Sequence, residues 1–105
     1  MKNVILHPEA KIEYLEAVSY LEYNREGYGA FFREAFSRLL SMISEHPEMF
    51  PKKRNGVQFC YMGMFRYNIV YLNREDDVVI LAVAHTSRKP GYWKMRFLYA
   101  IKGAV

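Results

Sequence analysis

The stretch FRYNIVYLNREDDVVILAVAH, residues 65–85, decides the fold class of this chain of 105 residues. Its first part has a period of two, which is typical of a β-strand, and one face of that strand carries Phe65, Tyr67, Ile69 and Tyr71. The polar run NREDD then predicts a turn. VVILAVAH, residues 78–85, is apolar on both faces, so it predicts a central strand covered on both sides.

Two further segments extend this predicted sheet. VQFCYM, residues 57–62, has the same period of two, and Gly63 supplies a turn between it and the next strand. NVILH, residues 3–7, predicts a short first strand.

The first half of the chain predicts two helices. A first helix follows Pro8 and ends near Asn24, and its apolar stripe consists of Ala10, Tyr14, Ala17, Val18 and Leu21. The glutamates at 9, 13, 16 and 22 lie off this stripe. A second helix, which must end before Pro47, has the stripe Phe32, Ala35, Phe36, Leu39 and Ile43. A short link containing glycine between them predicts an antiparallel hairpin.

A third helix closes the predicted domain. Residues 91–101 place Trp93, Phe97 and Ile101 at four-residue spacing, and we expect all three to be buried. The elements together predict one α+β domain over residues 1–105, in which a helical hairpin packs on a small antiparallel sheet and a short C-terminal helix follows.

Composition limits the class of protein. Half of the residues are hydrophobic and a quarter are charged, and no apolar run approaches the roughly 20 residues of a membrane-spanning helix. The N-terminus lacks the pattern of a secretory signal, so we expect a soluble, cytoplasmic protein without a membrane partner. The single cysteine, Cys60, excludes an internal disulfide and is interpreted as a small buried hydrophobe.

Charge is distributed unevenly along the chain. Residues 1–48 contain five Lys/Arg and eight Asp/Glu, whereas residues 49–105 contain ten and three. A basic field of this kind attracts polyanions, either nucleic acid or an acidic protein segment. The alternative is a solvated basic surface that serves solubility.

His85 and Arg88 are the candidate catalytic residues. His85 ends the most hydrophobic strand and Arg88 follows three positions later, so an imidazole that titrates near neutrality could move a proton while a guanidinium holds a phosphate. The alternative is a core histidine bonded to a backbone carbonyl. We interpret His46, at a helix end, as structural. The spacing of the three histidines predicts no metal site, and no cofactor motif is present.

Other cations are candidates for binding a target or nucleic acid. The run PKKRNG could equally be a solvated turn, and Arg66 is predicted on the strand face opposite Phe65 and Tyr67. The full predicted binding set is Lys52, Lys53, Arg54, Arg66, Lys89 and Arg96. Arg96 is also assigned, with Tyr92 and Trp93, to the clamp that docks the closing helix.

The chain resembles the RelE/ParE superfamily of toxins from bacterial type II toxin–antitoxin, or plasmid stabilisation, systems. The resemblance covers nearly the whole length and rests on HPEA, EAVSYLE, ISEHPEMFP, FRYNIVY and VILAVAHTSRKPGYWKMR in this order. It implies a curved sheet with a helical hairpin on one side. It also implies growth arrest by the free toxin, a cognate antitoxin as partner, and a toxin–antitoxin hetero-oligomer.

The resemblance leaves two activities open, because members either cleave mRNA on the ribosome or poison DNA gyrase. Cleaving members similar to RelE have an arginine where this chain has Asn68, and lysines on the preceding strand, where residues 57–62 have none. Arg88, and Tyr92 or Trp93, lie near the positions of the family's distal arginine and tyrosine, and Arg66 could be a displaced substitute for the absent strand arginine. We therefore prefer gyrase poisoning without catalysis over a ribosome-dependent endoribonuclease. The alternative is a degenerate, non-toxic member that only binds an antitoxin or another partner.

Overall fold

The computed structural model describes residues 1–53, 55–103 and 105, and it confirms the predicted α+β class. The elements in chain order are β1 (Asn3–Leu6), α1 (Pro8–Asn24), α2 (Tyr28–Glu45), β2 (Gln58–Met62), β3 (Tyr67–Asn73), β4 (Asp77–His85) and α3 (Lys94–Ile101). A short 3₁₀ turn, Pro47–Met49, follows α2. None of the helices in the described ranges combines the length and apolar character needed to cross a membrane.

The four strands form one mixed sheet in the order β1-β4-β3-β2. β1 pairs with β4 in parallel, whereas β2 with β3 and β3 with β4 are antiparallel. A parallel pair needs a long crossover connection, and the chain from α1 to β3 provides it here. β4 is therefore central, as its two apolar faces predicted.

Both faces of the sheet are covered. On one face the helical hairpin α1–α2 buries Phe32 and Ile43 against residues such as Tyr67 and Ile69. On the other face Trp93 and Ala100, at either end of α3, pack on a second apolar cluster of the sheet. The residues of β4 from 78 to 83 are consequently at most 2% exposed.

The register of β3 against β4 shifts once. Val70 pairs with Ala82, but Tyr71 pairs with Ile80, which leaves one extra residue in β4. Such a bulge bends the strand and increases its twist. The extra residue is Leu81, in the fully buried middle of β4 and four residues before His85.

Two local predictions are wrong. Of the three residues expected to be buried, Trp93 is buried and Phe97 is only partly buried. Ile101 is 54% exposed, because Ala100 rather than Ile101 faces the sheet. Arg66, like Phe65, was expected within a strand. It lies instead in the turn before β3, with a φ of 63°, and its side chain is exposed.

Candidate functional site

A cleft of about 150 Å³ lies between α1 and the C-terminal end of β4. It brings the two candidate catalytic residues together with residues from α1 and β3. The lining residues are Glu13, Glu16, Ala17, Tyr20, Tyr67, Val83, His85 and Arg88. A surface at the end of a rigid central strand is well suited to hold side chains in fixed directions.

His85 is held by its neighbours on β3 and in the following turn. Its imidazole meets the Tyr67 ring edge-on, with centroids 5.1 Å apart. The Ser87 backbone N–H donates to Nδ1 over 3.1 Å, and the Ser87 hydroxyl lies 2.8 Å from the same nitrogen. Because a backbone N–H can only donate, Nδ1 is an acceptor, and we assign the ring N–H to Nε2.

Arg88 lies beside His85 because the chain turns tightly between them. The Arg88 backbone N–H donates to the His85 carbonyl oxygen over 3.0 Å. The exposed Arg88 guanidinium carbon lies 3.8 Å from the centroid of the Tyr92 ring. A planar cation over an aromatic face is an attractive arrangement that also limits the rotamers of the arginine.

Glu13 on α1 joins the parts of this site, and sequence analysis missed it. Its Oε1 accepts from the Val83 N–H at 3.0 Å and from Arg96 Nη1 at 2.9 Å. Its Oε2 accepts from the Tyr92 hydroxyl and from Arg96 Nη2, both at 2.9 Å. The available signal was a carboxylate bordering the apolar stripe of α1, but nothing local indicates partners 70 to 83 residues away.

Tyr92 is a hydrogen-bond donor at neutral pH. Burial, followed by its bond to the Glu13 carboxylate, raises the pKa of Tyr92 to about 12. A phenol with this pKa is neutral under physiological conditions. Tyr92 therefore supports the site rather than acting as a base within it.

The structure separates Arg96 from the exposed cations. Its side chain is only 15% exposed, forms the bidentate pair with Glu13, and donates to the Leu81 carbonyl oxygen over 3.0 Å. This arrangement fits the expected clamp for the closing helix. It does not bring Arg96 to the surface formed by Arg88.

Arg66 and Lys89 do lie near the cleft. The Arg66 carbonyl oxygen accepts from the Thr86 N–H at 3.0 Å, which places the turn before β3 against the turn after β4. Lys89 is exposed and follows Arg88 directly. The three cations thus belong to the two adjacent turns at the end of β4 that carries His85.

The cations of the run PKKRNG lie elsewhere, beside β2. Lys52 forms an isolated bridge with Gln58, and the Lys53 ammonium lies 5.5 Å from the centroid of the Phe59 ring. Both lysines are exposed. Arg54 lies outside the described residues.

The other two histidines and Cys60 have structural positions. His7 caps α1, since its Nδ1 accepts from the Glu9 N–H at 3.0 Å. His46 ends α2, and its backbone N–H bonds to the Met42 carbonyl oxygen. Burial raises the pKa of the Cys60 thiol to about 11. Within the described residues, no three His, Cys, Asp or Glu side chains form a group suited to a metal.

Comparison with known families adds one match. The model of the family described as ParE toxin of type II toxin–antitoxin system, parDE, matches residues 4–90. The match includes α1, α2, the sheet except for Asn3, His85 and Arg88. Among curated proteins, no sequence matches this chain significantly.

Proposed function

This chain belongs to the family of ParE toxins of type II toxin–antitoxin systems, and from that membership we propose that it arrests growth by binding DNA gyrase rather than by cutting ribosome-bound mRNA. The observation that carries this proposal is the distribution of positive charge. No residue of strands β1 to β4, as the structure bounds them, is Lys or Arg. Metal-free cleavage of a phosphodiester needs preorganised cations where negative charge develops. The strands supply none, and the cations near His85, which are Arg66, Arg88 and Lys89, are exposed and lie outside the strands.

The surroundings of Arg88 support the same proposal. The cleft that it lines also contains Glu13 and Glu16. Glu13 is neutralised by Arg96, but Glu16 is exposed and adds negative charge that disfavours an RNA phosphate. A surface that carries both positive and negative side chains suits a folded protein partner better than a polyanion.

The cleft also has the side chains that anchor protein–protein contacts. Tyr20 is 57% exposed, Arg88 is exposed, and His85 has Nε2–H to donate. Tyrosine and arginine are enriched among the residues that dominate binding energy at interfaces. We therefore propose that gyrase contacts the His85–Arg88 end of the sheet, with Arg66 and Lys89 at the periphery.

The proposed partner that neutralises the toxin is its cognate antitoxin, in a hetero-oligomer. β2 lies at the edge of the sheet. Residues 51–53 already bond to Val57 and Phe59 there, so only the part of the strand toward Met62 can accept an extended segment of another chain. Beside it, an apolar groove of about 290 Å³ separates α2 from the β2–β3 turn, and Phe31, Leu39, Met62 and Met64 contribute to its walls. An antitoxin segment could pair with β2 and place apolar side chains in this groove.

Co-purification with the product of the neighbouring reading frame tests this partner. Apolar contacts in the groove are insensitive to salt, whereas exposed ion pairs are screened. The complex should therefore survive moderate salt, and Phe31→Asp should weaken it. The matched variant Tyr23→Asp places the same charge on an exposed aromatic of α1 and should not. Loss of the complex at moderate salt would contradict the proposed mode of binding.

Inducible expression without the antitoxin tests the activity in cells. The proposed function predicts growth arrest that is reversed when the antitoxin is expressed as well. In arrested cells, supercoiling of a reporter plasmid should fall while cleavage of ribosome-bound mRNA stays at its background level. Normal growth at full expression of folded protein would favour the alternative of a non-toxic binding protein.

A further inference from the structure

Glu13 forms more hydrogen bonds than are needed to dock a helix. All four of its hydrogen bonds reach groups distant in sequence: a backbone N–H of β4, two guanidinium nitrogens of Arg96 and the hydroxyl of Tyr92. The side chain is only 11% exposed. A carboxylate this deeply buried is stable only when its acceptor sites are used and its charge is paired, so its direction is tightly determined.

The Glu13–Arg96 pair covers the edge of β4 beyond the end of β1. The pairing of β1 with β4 stops at Leu6 and Ile80. Past this point Arg96 donates to the Leu81 carbonyl oxygen, and Glu13 accepts from the Val83 N–H. Side chains of α1 and α3 thus replace a neighbouring strand along the part of β4 that leads to His85.

The second oxygen of Glu13 extends the network to the surface. It accepts a hydrogen bond from the Tyr92 hydroxyl. The central carbon of the Arg88 guanidinium lies over the face of the same ring, 3.8 Å from its centroid. The Arg96 guanidinium lies 5.2 Å from the centroid of this ring. The direction of Arg88 in the cleft is therefore linked, through Tyr92, to a carboxylate on α1.

We propose that Glu13 is a positioning residue for the target-binding site. It fixes the Tyr92 ring, and the ring fixes the Arg88 guanidinium beside His85. The biological consequence of this role rests on the proposed function. The structural link from Glu13 to Arg88 does not depend on which target is bound.

Nuclear magnetic resonance of the arginine side chains tests the link directly. A guanidinium over an aromatic face should have its Arg88 Nε–H proton displaced upfield by the ring current of Tyr92. Glu13→Gln removes the negative charge and one acceptor, and Tyr92→Phe keeps the ring but removes the hydroxyl. Both variants should lose most of this upfield displacement of the Arg88 Nε–H signal. Glu9→Gln makes the same charge change on the exposed residue one turn earlier in α1 and should leave it unchanged.

The same variants are then assayed for inhibition of supercoiling by purified gyrase. Glu13→Gln and Tyr92→Phe should inhibit about tenfold more weakly, the loss expected when one principal contact is misplaced. Glu9→Gln should stay within about twofold of the unchanged protein. If Glu13→Gln does not fold, Tyr92→Phe decides by the same two readouts.

Two results would overturn the inference. One is a folded Glu13→Gln or Tyr92→Phe protein that keeps the upfield Arg88 signal. The other is full inhibition of gyrase by a Glu13→Gln protein that has lost the upfield Arg88 signal, since the position of Arg88 would then not matter for the target. If the unchanged protein fails to inhibit gyrase, the proposed function fails, and the resonance experiment still decides whether Glu13 positions Arg88.

Discussion

The guanidinium of Arg88 lies over the ring of Tyr92, with its central carbon 3.8 Å from the ring centroid. This contact joins an exposed cation of the turn after β4 to a half-buried phenol that bonds to Glu13 on α1. Arg88 is thus exposed to a partner while its direction is determined from within the fold. Preorganisation of this kind lowers the entropy that must be lost on binding.

Arg88→Ala should abolish toxicity without unfolding the protein. The side chain is exposed, and its contact with Tyr92 contributes about 0.5–1 kcal/mol, so the free energy of unfolding should fall by less than about 1 kcal/mol. Growth assays and urea denaturation measure the two effects. Arg33→Ala, an exposed arginine of α2, is the control and should remain toxic. A fully toxic Arg88→Ala protein would remove Arg88 from the site.

His85→Asn separates the imidazole's role in the site from its role in the turn. The asparagine oxygen can accept from the Ser87 N–H as Nδ1 does, so the turn should persist and the free energy of unfolding should change by about 1 kcal/mol or less. Toxicity should nevertheless be lost, because Nε2–H is absent. If His85→Asn is fully toxic, or as unstable as a large core truncation, His85 is structural.

Trp93→Ala should abolish toxicity only by destabilising the fold. Trp93 is 8% exposed and packs edge-on against Phe59, with ring centroids 6.0 Å apart. Truncation of such a residue costs about 3–5 kcal/mol. Ile101→Ala, in the same helix but 54% exposed, should change stability by about 0.5 kcal/mol or less. Equal losses in the two variants would contradict the packing of α3.

The sequence predicted the elements that repeat with a simple period. The alternation of Phe65, Tyr67 and Ile69 gave the face that packs on the helical hairpin, and the structure places all three in that core. The two apolar faces of VVILAVAH predicted a central strand. Periodicity succeeds here because burial acts on every residue of a strand or helix face in the same way.

Periodicity could not predict the contacts that organise the candidate site. Glu13 lies off the apolar stripe of α1, so the local pattern indicated no partner for it, yet its partners come from β4 and α3. Arg66 alternates with strand residues in sequence, but its positive φ belongs to a turn. Ile101 has the right spacing, but α3 presents Ala100 to the sheet instead. Each of these depends on tertiary packing, which spacing alone does not encode.

Stability should depend on pH through His7. Its Nδ1 must be unprotonated to cap α1, and its pKa is lowered, chiefly by burial and then by the positive charge of Arg96. As the pH falls, the unfolded chain binds a proton first, so stability is full above about pH 6.5 and decreases as the pH falls through the folded-state pKa. His7→Asn keeps a cap acceptor without this titration. Urea denaturation between pH 7.5 and pH 5 should show the unchanged protein losing stability relative to His7→Asn; parallel curves would contradict the capping role.

The most direct test of the central claim is a supercoiling assay in which purified gyrase, relaxed plasmid and ATP are combined with this protein. The account predicts that the unchanged protein inhibits supercoiling, that Arg88→Ala does not, and that the same preparation leaves ribosome-bound mRNA intact in a translation reaction. Strong codon-dependent cleavage of mRNA with gyrase unaffected would contradict it.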